Sequence, residues 1–233
     1  RPKDRIACIT TSAILLTLLP IIRYGRMAML DGTQLSAIAL LWLCLSSIRK
    51  NRSTKFNFLG AGFACSFMLL LKAPVIIPAL LASVLPLIWE YRSKKYLKNL
   101  SWMWFIYGLI PGFAWHLWNI FSYGSGALWM WWGDGAGRVL FEKGSGSELG
   151  VLIPIIEIFE GGWPWILVWP IGFLWACFRL NSRWGLWAFT TQIIIAGSIF
   201  PLKMQLPWYI HPFWLPFALL CGPPVSWIIT RKD

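Results

Sequence analysis

Four polar stretches, set in a chain that is otherwise strongly apolar, hold the groups that could do chemistry. The first is Arg23-Tyr24-Gly25-Arg26-Met27-Ala28-Met29-Leu30-Asp31-Gly32. Two guanidiniums near a carboxylate suit either a bound anion beside an acid, or an internal ion pair with Asp31 as the N-cap of the next helix. The second is Lys72, within Leu69-Leu70-Leu71-Lys72-Ala73-Pro74. An ammonium at the centre of a membrane helix costs about 2.5–3.5 kcal/mol, so Lys72 either snorkels to a nearby surface or faces a phosphate in a cavity. The third is Lys203-Met204-Gln205-Leu206-Pro207-Trp208-Tyr209-Ile210-His211-Pro212. Two prolines with Tyr209 and His211 between them make an irregular polar entry to an apolar helix, although Trp208, Tyr209 and His211 also suit a membrane-interface belt. The fourth is a stretch of about residues 122–161, with eight glycines between Gly124 and Gly150 and the acids Asp134, Glu142, Glu148, Glu157 and Glu160. Glu157 and Glu160 read as catalytic carboxylates or as groups that orient the stretch. Gly133-Asp134-Gly135-Ala136-Gly137 follows no strand signal and reads as a flexible turn.

Other chemistries leave no trace. The chain holds no HExxH, GxSxG, Walker or zinc-ligand spacing, so neither a metal nor a cofactor is expected. Cys8, Cys44, Cys65, Cys177 and Cys221 all fall in apolar runs without paired spacing, which points to small buried hydrophobes rather than a disulfide framework. His116, inside an apolar run, reads as a helix–helix hydrogen-bonding group.

The elements that position these groups follow from composition. Of 233 residues, 58% are hydrophobic and 13% charged, about half the charge of a soluble domain. A water-soluble or disordered chain is excluded, and 18 Trp fit a protein that meets lipid headgroups. Apolar runs at 6–22, 33–48, 58–71, 74–89, 100–121, 162–178, 185–200 and 209–229 predict an all-α polytopic membrane bundle with about eight transmembrane helices. Residues 1–233 read as a single transmembrane domain, with 122–161 as one long outer loop. The net charge of +12 would point to nucleic acid in a soluble protein. Here its placement matters more. With eight spans, fifteen cations in the clusters at Arg1–Arg5, Arg49–Lys55, Arg92–Lys98, Arg179–Arg183 and Arg231–Lys232 face one side, and six face the other. The positive-inside rule then puts both termini in the cytoplasm. Merging 58–89 into one span would destroy that bias, so a turn is expected at Lys72-Ala73-Pro74.

Taken in order, these segments resemble the multispan GT-C glycosyltransferases that use polyprenyl-phosphate sugars. That group includes the dolichyl-phosphate-mannose protein mannosyltransferases and the aminoarabinose-to-lipid-A transferases. Arg26-Met27-Ala28-Met29-Leu30-Asp31-Gly32 looks like the family's arginine-to-aspartate segment, and Leu71-Lys72-Ala73-Pro74 like its Thr-Lys-Gly-Pro turn. Gly162-Trp163-Pro164-Trp165 is similar to the entry after the large outer loop. Leu206-Pro207-Trp208-Tyr209-Ile210-His211-Pro212-Phe213-Trp214-Leu215-Pro216 is similar to the Leu-Pro-x-Tyr-x-x-Pro-x-x-Pro entry to a late span. Ala73 and Leu71 stand where the family has Gly and Thr, and Gln205 stands where bacterial relatives carry Lys.

The resemblance implies sugar transfer from a polyprenyl-phosphate-linked donor to a lipid, glycan or protein acceptor at the outer face of the plasma (inner) membrane. Arg23, Arg26, Lys72, Lys203, Tyr209 and His211 would bind substrate. Asp31 would support or replace a catalytic acid that the family carries in a loop upstream of these motifs. No nucleic-acid partner is implied. A transporter or flippase would use charges along a path through the bilayer and inverted-repeat halves, which the sequence does not display. A non-catalytic membrane remnant is the other reading.

Overall fold

The computed structural model describes residues 2–27, 29–48, 54–91, 102–132, 137–141 and 148–231. Among these there is no strand. The α-helices are α1 (Pro2–Thr17), α2 (Leu19–Arg26), α3 (Leu30–Ser46), α4 (Thr54–Lys72), α5 (Ile76–Tyr91), α6 (Trp102–Tyr123), α7 (Ser125–Trp131), α8 (Arg138–Phe141), α9 (Leu152–Gly161), α10 (Trp169–Cys177), α11 (Arg183–Ile199) and α12 (Trp214–Thr230). Ala28, the cations Arg49–Arg52 and Arg92–Lys98, and Asp134, Glu142 and Lys143 lie outside the described residues.

By length and composition, two helical runs suffice to cross a membrane, Thr54–Glu90 and Pro207–Thr230. Four do so if each of two bent pairs counts as one span. The chain is therefore membrane-associated, with fewer candidate spans than the eight expected. The apolar runs are present, but they are cut short. The axis bends by 55° between α1 and α2, where Pro20 has no N–H to extend the ladder. It bends by 106° between α9 and the helical stretch Trp165–Cys177, across Gly162–Pro164. α3 and α11 stop at 17 residues each. α6 has 22 residues, but Trp, Tyr, His and Asn dilute its apolar character. The expected long loop is also largely helical among the described residues, since α7, α8 and α9 fall within 122–161.

The chain packs as two compact units. One comprises Thr33–Gly150 with Leu202–Gln205. Its central contact is α4 against α6, along a seam of small residues. A Cβ at Gly62 would lie 2.1 Å from the Phe105 carbonyl oxygen, and one at Gly108 would lie 2.4 Å from that of Leu59. Gly112 N–H donates to Ser66 Oγ, and His116 Nε2 lies 3.2 Å from the Leu69 carbonyl oxygen. His116 is thus a helix–helix hydrogen-bonding group, as its sequence setting implies. Backbones approach this closely only where side chains are absent, the small-xxx-small mode of membrane helix pairing.

The order of these contacts fixes direction. Phe58 meets Trp102 at 5.0 Å between ring centroids, and Leu69 meets His116, so α4 and α6 run parallel. A straight continuation of α4 through α5 would then leave Tyr91 over ~45 Å from Trp102 at a rise of about 1.5 Å per residue. The eleven residue steps between them reach about 40 Å at full extension. The chain must therefore turn between α4 and α5. It does so at Lys72 (φ −159°, ψ 82°) and the 3₁₀ turn Ala73–Val75. Gln34 Nε2 donates to the freed Lys72 carbonyl oxygen at 3.4 Å, and Trp42 Nε1 donates to that of Ala79, also at 3.4 Å. The turn brings the far end of α5 back toward the start of α4.

The other unit comprises Arg1–Gly32, Val151–Pro201 and Leu206–Asp233, and α12 is its axis. Pro223 and Pro224 deprive the carbonyls of Leu219 and Leu220 of their intrahelical donors. A neighbour takes over the first. Trp184 Nε1 donates to the Leu219 oxygen at 2.9 Å. The Leu220 oxygen lies only 2.0 Å from where a Gly172 Cβ would stand. Thr10 Oγ1 of α1 donates to the Gly222 carbonyl oxygen at 3.1 Å. Neighbouring helices commonly rescue proline-interrupted membrane helices in this way. The Thr10–Gly222 bond near mid-helix, with Tyr24 beside His211 further on, makes α1 and α12 antiparallel. Arg5 and Arg231 therefore share one end of the pair.

Candidate functional site

At the other end of that pair, three elements of the same unit converge: α2, α9 and the 3₁₀ segment Pro207–Phe213. Gly161 seats them together. A Cβ there would lie 2.3 Å from Pro20 Cγ and 3.0 Å from the Trp214 ring, so only glycine lets the end of α9 close onto α2 and the start of α12. Along α2, Arg23 and Arg26 are exposed and Tyr24 is buried. The Arg23 guanidinium lies over the Tyr24 ring, 5.5 Å from its centroid. The buried His211 ring meets Tyr24 edge-on, with centroids 5.0 Å apart and planes at 71°.

α9 adds the carboxylates. Glu157 is half-buried and Glu160 exposed, one helical turn apart on one face. Neither α2 nor α9 belongs to the two runs that suffice by themselves to cross a membrane; α2 lies beyond the 55° bend, and α9 has only 10 residues, about half a bilayer core. Burial pushes the Glu157 carboxyl above the usual carboxylate range; the Glu160 charge pushes the same way and Arg23 opposes. Burial likewise raises the Tyr24 phenol, helped by Glu157 and Glu160 and countered by Arg23. Arg23, Tyr24, Glu157 and Glu160 thus share one electrostatic neighbourhood, with His211 on the Tyr24 ring. Such a group can hold an anion at the guanidinium and accept a proton at a carboxylate.

Of the residues expected from sequence, Arg23 and His211 enter this cluster. Arg26 ends α2 one turn beyond Arg23. Tyr209 is half-buried two residues before His211, its ring against Trp208. Asp31 is not a helix cap. It lies within the first turn of α3, where a negative charge favours the helix dipole. Lys72, half-buried at the α4–α5 turn, and the exposed Lys203 belong to the unit of α4 and α6. Tyr24 is a new member, and Glu157 and Glu160 move from weighed alternatives to its centre. The three-residue spacing of the two acids was the readable signal. Among the described residues no three His, Cys, Asp or Glu side chains gather as metal ligands. No protein-family model, curated protein or solved structure matches the chain.

Proposed function

We propose that the chain is a membrane glycosyltransferase that moves a sugar from a polyprenyl-phosphate-linked donor to a lipid, glycan or protein acceptor. The observation that carries this reading is the position of the Arg23–Tyr24–Glu157–Glu160–His211 cluster. His211 stands 20 residues before Arg231, across the end of the 3₁₀ segment and the whole of α12, about 30 Å at helical rise, which equals the hydrocarbon thickness of a bilayer. With Arg5 and Arg231 on the cytoplasmic side by the positive-inside rule, the cluster sits at the outer surface. A polyprenyl-linked donor presents its phosphate there while its tail stays in lipid. In this reading the bent and shortened helices form a polytopic bundle of about eight crossing segments, with both ends of the chain cytoplasmic. Three of the four stretches that carry the family resemblance, at Arg26–Gly32, Gly162–Trp165 and Leu206–Pro216, begin in or beside the cluster's elements.

Breaking the sugar–phosphate bond develops negative charge on the departing phosphate. Fixed cations that need no reorganisation stabilise that charge, and Arg23 and Arg26 supply them. Tyr209 and His211 offer hydrogen bonds to donor or acceptor. Membranes containing the protein, given radiolabelled polyprenyl-phosphate sugars, are expected to release polyprenyl phosphate and pass label to a second molecule. Absence of any sugar release across a panel of such donors ends the proposal.

Two substitutions test individual roles. Lys72→Ala is expected to abolish transfer at an unchanged membrane level; normal transfer would return Lys72 to a snorkelling role. Asp31→Asn is expected to slow turnover. Unchanged rates, with at most about 1 kcal/mol lost from the helix start, would leave Asp31 as a dipole partner only.

A further inference from the structure

We propose that Glu157 is the base that takes the proton from the acceptor hydroxyl. This deepens, and rests on, the sugar-transfer reading above. The resemblance points to an acid outside these motifs; the geometry points instead to a carboxylate on α9.

Three observations converge on it. Glu157 is the less exposed of two carboxylates on one face of α9. That face is held in place, because Gly161 packs against Pro20 and Trp214 without room for a Cβ. Both elements packed on α9 carry polar groups: Arg23 and Tyr24 of α2 share the electrostatic neighbourhood of Glu157, and His211 of the 3₁₀ segment lies against the Tyr24 ring. A carboxylate that is partly desolvated and crowded by a second one holds a proton more tightly than usual, which is what a general base near neutral pH needs. A second polar group lies at the same place. The ring of the fully buried Trp214 meets Gly161, and its Nε1–H has no hydrogen-bond acceptor among the described residues.

The step balances within these groups. The acceptor oxygen forms a bond to the anomeric carbon as the carbon–oxygen bond to phosphate breaks. The electron pair of that bond leaves on polyprenyl phosphate, opposite Arg23. The hydroxyl proton moves to Glu157, which later releases it to water. The Glu160 charge beside it keeps Glu157 basic.

The test compares Glu157→Gln, Glu157→Ala and Glu157→Asp with the unmodified protein in native membranes, using a radiolabelled polyprenyl-phosphate hexose. Glu157→Gln is expected to lower transfer to hydroxyl acceptors by about 10²–10⁴-fold and to abolish the acid limb of the pH profile. Glu157→Asp should recover part of the rate. Azide has no proton to lose, so Glu157→Ala with added azide is expected to form the glycosyl azide while hydroxyl transfer stays low. Normal hydroxyl transfer by Glu157→Ala overturns the assignment. So does loss of both products at normal membrane level, which would make Glu157 merely structural. If the unmodified protein turns over no polyprenyl-phosphate sugar, the sugar-transfer reading itself has failed, a result distinct from either of these.

Discussion

Replacing Arg23 with alanine is expected to slow sugar transfer by about 10²–10³-fold, the usual loss when one preorganised charge is removed from a transition state. Two effects add. The departing phosphate loses the cation opposite it, and Glu157 loses the one charge that lowers its proton affinity. Only burial and Glu160 then act on Glu157, both upward, so the acid limb of the pH–rate profile should move to higher pH. The sign for stability is the same. Glu157 binds its proton more tightly folded than unfolded, so the fold is relatively favoured at low pH. It loses that advantage as pH rises above the ordinary carboxylate value through the raised one. Arg23→Ala should widen that loss, while Arg23→Lys, which keeps the charge without the planar fork, should recover part of the rate. Because Arg23 is exposed, the membrane level should hold. Transfer measured across a pH series, beside thermal midpoints in detergent, checks both; an unmoved acid limb would mean that Arg23 does not act on Glu157.

The second large effect concerns folding rather than chemistry. Gly62→Val is expected to cost about 3 kcal/mol, the upper range for overpacking, and to remove most of the protein from the membrane. Even a single added carbon would stand 2.1 Å from the Phe105 carbonyl oxygen and 3.0 Å from Gly108 Cα. Those are backbone atoms with no side-chain torsion to relieve them, so α4 and α6 must separate along their length. Parting them also unseats the His116–Leu69 and Ser66–Gly112 hydrogen bonds. Ser66→Ala, which removes one such bond and leaves the close approach intact, should cost only about 0.6 kcal/mol. Gly126→Val, where nothing lies within 4 Å, should be neutral. Thermal midpoints of the three purified variants decide the matter. Equal loss in all three would mean that glycine content, not the α4–α6 seam, sets stability.

The sequence displays its apolar runs and polar islands openly, because each is a local property of the chain. The turn at Lys72-Ala73-Pro74 is equally readable, since one proline and the charge balance on either side both require it. The bends are harder. Pro20 and Gly162–Pro164 are visible as breakers, but an angle of 55° or 106° depends on what α2 and α9 pack against. The cluster was legible in chemistry and not in assembly. Arg23 and His211 stand out as polar residues in apolar company, yet nothing local joins positions 23, 157 and 211. Glu157 reads from the sequence as a catalytic carboxylate or as a group that orients its stretch, and nothing local separates the two. What changes its character is the glycine at 161, which allows the end of α9 to close on Pro20. Gly108 and Gly112, four residues apart on one face of α6, could have announced the α4–α6 seam.

The antiparallel pairing of α1 with α12 has a consequence for biogenesis. Thr10 and its partner Gly222 are 212 positions apart. At roughly 5–20 residues per second of synthesis, α1 waits on the order of 10–40 s before its companion emerges from the ribosome. Throughout that interval Thr10 and Thr11 must bond within their own turn, as they do to Ile6 and Ala7. The early helices therefore need an insertase or a lipid pocket that tolerates unfinished partners. Premature termination anywhere before α12 would strand a chain in which the Arg23–Tyr24–His211 contacts never assemble.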